Sequence, residues 1–348
     1  MKLKFATIIF LFSFSISFLQ AQSPLKGFQF EEVHGVEVTP VKNQERTGTC
    51  WSYSCVSFLE SEMIRQGKEA VDISEMFAAR QTFLDKADRY LRFHGKANFS
   101  QGALGHDVIN VLDKYGAYPE VVFDGKIDPK KPHDHTALEA EMLTYLDSLL
   151  DDKRSISLDW KAHAEEILDK HLGELPQEFE YEGQNYTARS FADEVMGINP
   201  NDYVSFTSFS HHPFYKPFVL EVPDNFSHGM FYNLPIDELA QVAEYALTNG
   251  FSIEWDGDVS DRGFNPRGGL AVVPEVDWAE LDKEGRKQLF KAPTNEMNIT
   301  QEIRQTAFNS YSLTDDHLMH LTGIVKDQTG KKYYTVKNSW GEVGPMDG

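Results

Sequence analysis

The stretch Pro40-Val41-Lys42-Asn43-Gln44-Glu45-Arg46-Thr47-Gly48-Thr49-Cys50-Trp51-Ser52 decides how this chain is read. Ahead of it, Phe30, Val33, Val36, Val38 and Val41 alternate with polar residues over 28–42, the pattern of an entering strand. Gly48 permits a tight turn in the 43–49 loop. From Cys50 the period changes. Trp51, Cys55, Leu59 and Met63 recur every fourth residue with Val56 beside them, and Arg65 and Gly67 mark a helix end. Cys50 therefore stands where a loop becomes a helix. Unpaired backbone N–H groups and the helix dipole favour negative charge there, and so lower a thiol's pKa. Cys55, one turn inside among apolar neighbours, reads as a small core residue. These two are the only cysteines, and five residues apart on one helix they face different ways, so no disulfide between them is expected.

Toward the amino end, Lys2 and Lys4 precede an apolar stretch over 5–19, and Gln20-Ala21-Gln22 offers a small residue for cleavage. That order is a secretory signal, with removal expected after Ala21 and export of the remainder. The apolar stretch is shorter than the roughly 20 residues of a membrane span. The chain has 348 residues, 41% of them hydrophobic, with 25 Phe and 14 Tyr, enough for a full core and more than one lobe. Its formal charge of −21 falls by two more units once Lys2 and Lys4 are lost, which gives nucleic-acid binding no electrostatic support.

Toward the carboxyl end, helices are expected over 73–84, opening at Asp72, and over 106–115, ending at Gly116 before Pro119. A long block over 124–298 has a different texture. Segments 136–150, 160–172 and 236–248 read as amphipathic helices, separated by aromatic loops such as His211-His212-Pro213-Phe214-Tyr215. Beyond it lies a β-hairpin: Leu321 to Lys326, the turn Asp327-Gln328-Thr329-Gly330, then Tyr333 to Val336. A turn centred between Gln328 and Thr329 sets Asn338 opposite Met319, with His317 its diagonal neighbour at roughly 7–8 Å.

A nucleophilic thiolate needs a base that later protonates the leaving amine. His317 and His320 both flank the hairpin, and the residues alone do not choose between them. Asn338 can orient the imidazole, as Asn does in one variant of the triad, and Trp340 can shield that bond. Gln44, in the tight loop before Cys50, can donate its side-chain amide to an oxyanion, with the Cys50 backbone N–H as second donor. No His/Cys/Asp/Glu cluster has metal-ligand spacing along the chain. His211-His212 reads as a packed loop, and neither a metal nor any other cofactor is expected.

Pro40–Gln44 followed by Gly48-Thr49-Cys50-Trp51-Ser52 resembles the nucleophile region of papain-like cysteine peptidases. His317 with Gly323 six residues later resembles that family's histidine strand, which selects His317 over His320, and Asn338-Ser339-Trp340-Gly341 resembles its asparagine motif. Thr47 stands where the papain signature has a disulfide-forming cysteine. His317 lies 267 residues beyond Cys50, against the usual separation of about 130–150. These departures resemble the bleomycin hydrolase and aminopeptidase C branch. The resemblance implies an α+β, two-lobe papain-like fold: a helical lobe to residue 123, a mainly helical insertion over 124–298, and a β lobe from 299. It implies an aminopeptidase acting on peptides, assembled as a homo-hexamer. Ser100-Gln101-Gly102-Ala103 resembles the branch's cleft glycine pair, which gives Gly102 and Ala103 a substrate-binding role. The chain stops at Met346-Asp347-Gly348, so the branch's final strands and terminal arm are expected to be missing. An endopeptidase on the same machinery is one rival reading, and a catalytically silent binding protein is another.

Overall fold

The computed structural model describes residues 25, 27–151 and 156–348; the expected leader over 1–21 lies outside the described residues. Helix α1 (Cys50–Arg65) begins at Cys50 and ends where expected, with Gln66 closing it and Gly67 at φ +78°. It is buried almost all round, because helices flank it on one side and a sheet on the other. Its many serines fit that burial. Ser52 donates to the Glu75 carbonyl (2.8 Å), Ser54 to the Met319 carbonyl (2.9 Å), and Ser57 meets His320 Nδ1 (2.9 Å). Trp51, Leu59 and Met63 fill the core between these contacts, each worth about 1.5–3 kcal/mol of burial.

Helix α2 (Glu75–Arg92) is capped by Ser74, whose hydroxyl accepts from Phe77 N–H (3.0 Å), and not by Asp72. Asp72 instead pairs with Lys42. The helix runs past the expected 73–84 because Ala87, Tyr90 and Leu91 continue its buried face. Helix α3 (Gly105–Tyr115) stops at Gly116, held at φ +86°. Helices α4 (Thr136–Asp151) and α5 (Trp160–Leu172) pack on α2, so they share one core with α1. Residues 173–235 hold short pieces: the hairpin Phe179–Tyr181/Gln184–Tyr186, and a three-stranded sheet of Phe206–Thr207, Met230–Asn233 and Pro217–Val219. Helix α6 (Ile236–Thr248) follows.

The principal sheet is built on the longest strand. β1 (Glu31–Gly35) and β2 (Ile253–Gly257) pair along one edge of β3 (His317–Lys326), and β4 (Lys332–Lys337) along the other, all antiparallel. The entering strand is thus five residues, not the whole of 28–42; a bulge between Glu32 and His34 interrupts it, and Pro40 farther on cannot donate to a ladder. Near the turn the β3–β4 register is one residue off the expected pairing. A bulge at Thr322 absorbs that residue, so His320 faces Lys337 and the expected alignment holds at the end that matters. β2 corrects the expected boundaries. It falls inside 124–298, yet it pairs residue for residue with His317–Leu321. That span is therefore no self-contained helical insertion, since it supplies a strand to the sheet that carries His317. α7 (Gln301–Asn309) leads into β3.

Candidate active site

His317 opens β3, and its Nε2 lies 2.7 Å from Asn338 Oδ1. That oxygen also accepts the Ser339 backbone N–H (2.7 Å), which identifies it as the carbonyl end of the carboxamide. Since that end only accepts, Nε2 carries the proton and Nδ1 keeps its lone pair. The Trp340 ring lies over the imidazole at 4.5 Å between centroids and 30° between planes, which shields the bond from water. Burial lowers the pKa of His317, while Asn338 and then Asp316 raise it.

Cys50 is buried at the amino end of α1, and no disulfide forms with Cys55. The backbone N–H groups of Leu318, the residue after His317, and of Trp51 act to lower the pKa of its thiol. The thiol is nonetheless pushed up to about 12, first by burial and then by the charges of Asp256 and Asp224. The helix start and the two N–H groups work against that rise without cancelling it. Thiol and imidazole are both driven toward neutrality.

Gln44 is buried, its Nε2 donating to the Thr47 carbonyl (2.7 Å) and its Oε1 accepting from Ser339 Oγ (2.6 Å). The second N–H of the amide remains, and the Cys50 backbone N–H has no acceptor among the described residues. Thr47 braces the loop where a disulfide was absent from the sequence: its hydroxyl donates to the Gln44 carbonyl (2.8 Å) and meets Thr49 Oγ1 (2.5 Å). Backbone bonds then join this loop to the asparagine segment, Gln44 N–H to the Ser339 carbonyl (2.8 Å) and Gly341 N–H to the Lys42 carbonyl (3.0 Å). Glu45 takes φ +57°, a left-handed position uncommon outside glycine; its carboxylate holds His133 N–H and Lys126, which pins the turn.

The Ser100–Ala103 loop lies against the 43–49 loop and the start of α1. Gly48 N–H donates to Gln101 Oε1 (2.8 Å), and Trp51 Nε1 to the Gln101 carbonyl (3.0 Å). Beneath it Lys86 buries its ammonium on the carbonyls of Ser100 and Gly102, and burial lowers its pKa to about 8. Ala103 is wholly buried in the main core, so its methyl does not face the cleft. Gly102 has a carboxylate for a neighbour: a Cβ there would collide with Asp224. Sequence reasoning missed Asp224, Asp256 and Ser339. Only Ser339 carried a signal, standing inside the asparagine motif.

His320 is fully buried, with Nδ1 on Ser57 and Nε2 unpartnered, and burial lowers its pKa to about 3. It is a core histidine. The loop histidines depart from expectation in a different way, because Glu221 joins both of them (2.6 Å to His212, 3.1 Å to His211). Their ligand atoms lie within 4.8 Å of one another, a grouping invisible along the chain because Glu221 arrives across a turn. His211 Nδ1 is held by Gln305, and the His212 ring stacks on Phe218 at 4.1 Å, so both rings are also packed as expected.

The profile of the Peptidase C1-like family matches residues 85–348, and that of the papain family cysteine proteases matches 27–78. Aminopeptidase G of Lactobacillus delbrueckii subsp. lactis is 23% identical over 87% of this chain and 75% of its own length. Bleomycin hydrolase of Rattus norvegicus is 24% identical over 90% of this chain and 77% of its own. The crystal structure of pepw from Lactobacillus rhamnosis superposes with a TM-score of 0.65 at 20% identity, covering 90% of this chain and 77% of that one.

Proposed function

From the premise that this chain belongs to the Peptidase C1-like family of cysteine peptidases, with an α+β papain-like fold, we propose that it is an aminopeptidase working through Cys50, His317 and Asn338. The observation that carries the reading is the 2.7 Å His317–Asn338 bond, which leaves Nδ1 unprotonated. Nδ1 takes the Cys50 proton as Sγ adds to the scissile carbonyl. The Gln44 amide and the Cys50 N–H hold the oxyanion. The imidazolium, steadied by Asn338 Oδ1, gives its proton to the leaving amine, and an acyl-enzyme remains on Sγ. Water, deprotonated by His317, then releases the acid and restores the thiol. Gly102 and the Ala103 backbone form part of the non-primed cleft. The aminopeptidase reading draws on the relatives named aminopeptidase G and aminopeptidase C.

Cys50→Ala abolishes both peptide hydrolysis and labelling by a thiol-directed epoxide, measured by intact mass. Persistence of either overturns the assignment, and an unsubstituted protein inert in both assays is the silent binding protein. Release of single amino acids from the free end of a peptide separates this reading from an endopeptidase, which yields internal fragments. Export belongs to the same reading and is tested by sequencing the mature amino terminus for a start at Gln22. So does hexamer assembly, tested by light scattering. No helix among the described residues is long and apolar enough to cross a membrane.

A further inference from the structure

Three carboxylates close enough to raise one another's charge cost come from three separate segments. Asp256 lies on β2 opposite Leu318, the residue after His317, and its charge raises the pKa of the Cys50 thiol. Asp315 precedes β3 by two residues. Asp224 comes from the loop after Pro217–Val219 and stands against Gly102, where Asn98 and Ser100 hold it. That loop is fixed by Asn225, which donates to the carbonyls of Leu220 (2.9 Å) and Gly229 (3.0 Å) and accepts Gly229 N–H (2.7 Å).

Asn98 and Ser100 hold Asp224, but Asp256 and Asp315 each leave a buried oxygen without a donor. Asp256 makes no side-chain hydrogen bond among the described residues, and its Oδ1 is sealed from solvent; Asp315 Oδ2 is sealed and unpartnered as well. A buried carboxylate oxygen without a donor is costly, and points to a donor that arrives with a ligand. The nearby cations do not fill the role. Lys86 spends its ammonium on the Ser100 and Gly102 carbonyls, and Arg304 on the Ser208 carbonyl and the Phe209 ring. Burial, then Asp315 and Asp224, push the Asp256 carboxyl well up, and the opposing effect of Arg304 does not cancel that rise. The three do not form a tight chelating group as His211, His212 and Glu221 do, so they suit a cation that makes separate N–H bonds and not a metal ion.

We propose that Asp224 and Asp256, with Asp315 behind them, bind the free α-ammonium of the peptide substrate on the non-primed side of Cys50. This rests on the peptidase reading above and adds what would make the enzyme an exopeptidase: one wall of the cleft is charged to receive an amino terminus, and Asp224 blocks continuation of the chain past Gly102. An acetylated terminus brings no positive charge and must desolvate the same carboxylates without compensation.

The experiment compares kcat/KM for an aminoacyl coumarin amide with that for its N-acetyl form, in the unsubstituted protein, Asp224→Asn, Asp256→Asn and Asp224→Glu. The unsubstituted protein prefers the free amine. The free-to-capped ratio falls at least tenfold in each Asn variant, mainly through KM, and Asp224→Glu recovers part of it. Near-ultraviolet circular dichroism identifies any variant that fails to fold, and the other Asn variant then carries the test. An unmoved ratio in a folded Asn variant, or equal turnover of both substrates by the unsubstituted protein, overturns this inference and leaves the peptidase reading intact. Hydrolysis of neither substrate by the unsubstituted protein overturns both.

Discussion

Removing the oxygen that orients the imidazole tests the site most directly. In Asn338→Ala, His317 Nε2–H loses its 2.7 Å acceptor in a place closed to water by Trp340. A hydrogen bond to a charged donor is worth about 1.5–3 kcal/mol, and the imidazole is charged only after it takes the Cys50 proton. The bond therefore strengthens along the reaction. At 1.4 kcal/mol per factor of ten, kcat/KM should drop by about 10- to 150-fold. The same change removes a contribution that raises the pKa of His317, so the acid limb of the pH–kcat/KM profile shifts to lower pH. Activity should stay well above that of Cys50→Ala, because the Trp340 stack still locates the ring. Ser339 N–H also loses its acceptor, which lowers stability by about 1 kcal/mol. The assay is kcat/KM against pH on an aminoacyl coumarin amide, with thermal melting beside it. A change under twofold, or an acid limb that moves to higher pH, refutes the reasoning.

Gln44→Ala should reduce kcat by about 10²–10³ with little change in KM, as for removal of one oxyanion donor, and equal loss in substrate affinity would count against that role. Glu254→Gln should melt higher at pH 8 by about 2 °C or more. Burial, Asp256 and Asp107 raise the Glu254 carboxyl well above its ordinary value, so its stabilising protonated form is lost as pH rises, and the difference should close near pH 4. His320 carries the opposite sign. Its folded pKa of about 3 lies below the unfolded value, so its contribution is complete above about pH 6.5 and is lost as pH falls below that. Melting of His320→Gln should thus vary less between pH 6.5 and 4 than that of the unsubstituted protein; identical slopes would rule this out.

What the sequence disclosed and what it hid differ in range. The bounds of α5 and α6 could be read because apolar repeats and terminators such as Gly173 are local signals. Loop and hairpin are local signals that single out Cys50 and the neighbourhood of Asn338, but the choice of His317 over His320 needed the family resemblance. β2 could not. Ile253-Glu254-Trp255-Asp256 alternates acids with apolar residues as a surface strand would, yet Oε1 of Glu254 and Oδ1 of Asp256 are sealed inside. The link between Gln44 and Ser339 spans 295 residues, and that between Gly102 and Asp224 more than a hundred, so neither leaves any periodicity to detect. The Ser74 cap was passed over for Asp72 because both are cap residues, and only Lys42, distant in sequence, claims Asp72.

The short ladder between Lys42–Gln44 and Ser339–Gly341 also settles how this molecule can yield. A closed book opens away from its spine, and here the spine passes through the residues that hold Gln44 and Asn338. Gln44 and Asn338 thus keep their mutual spacing for as long as those two backbone links hold, whatever shifts elsewhere between the two segments.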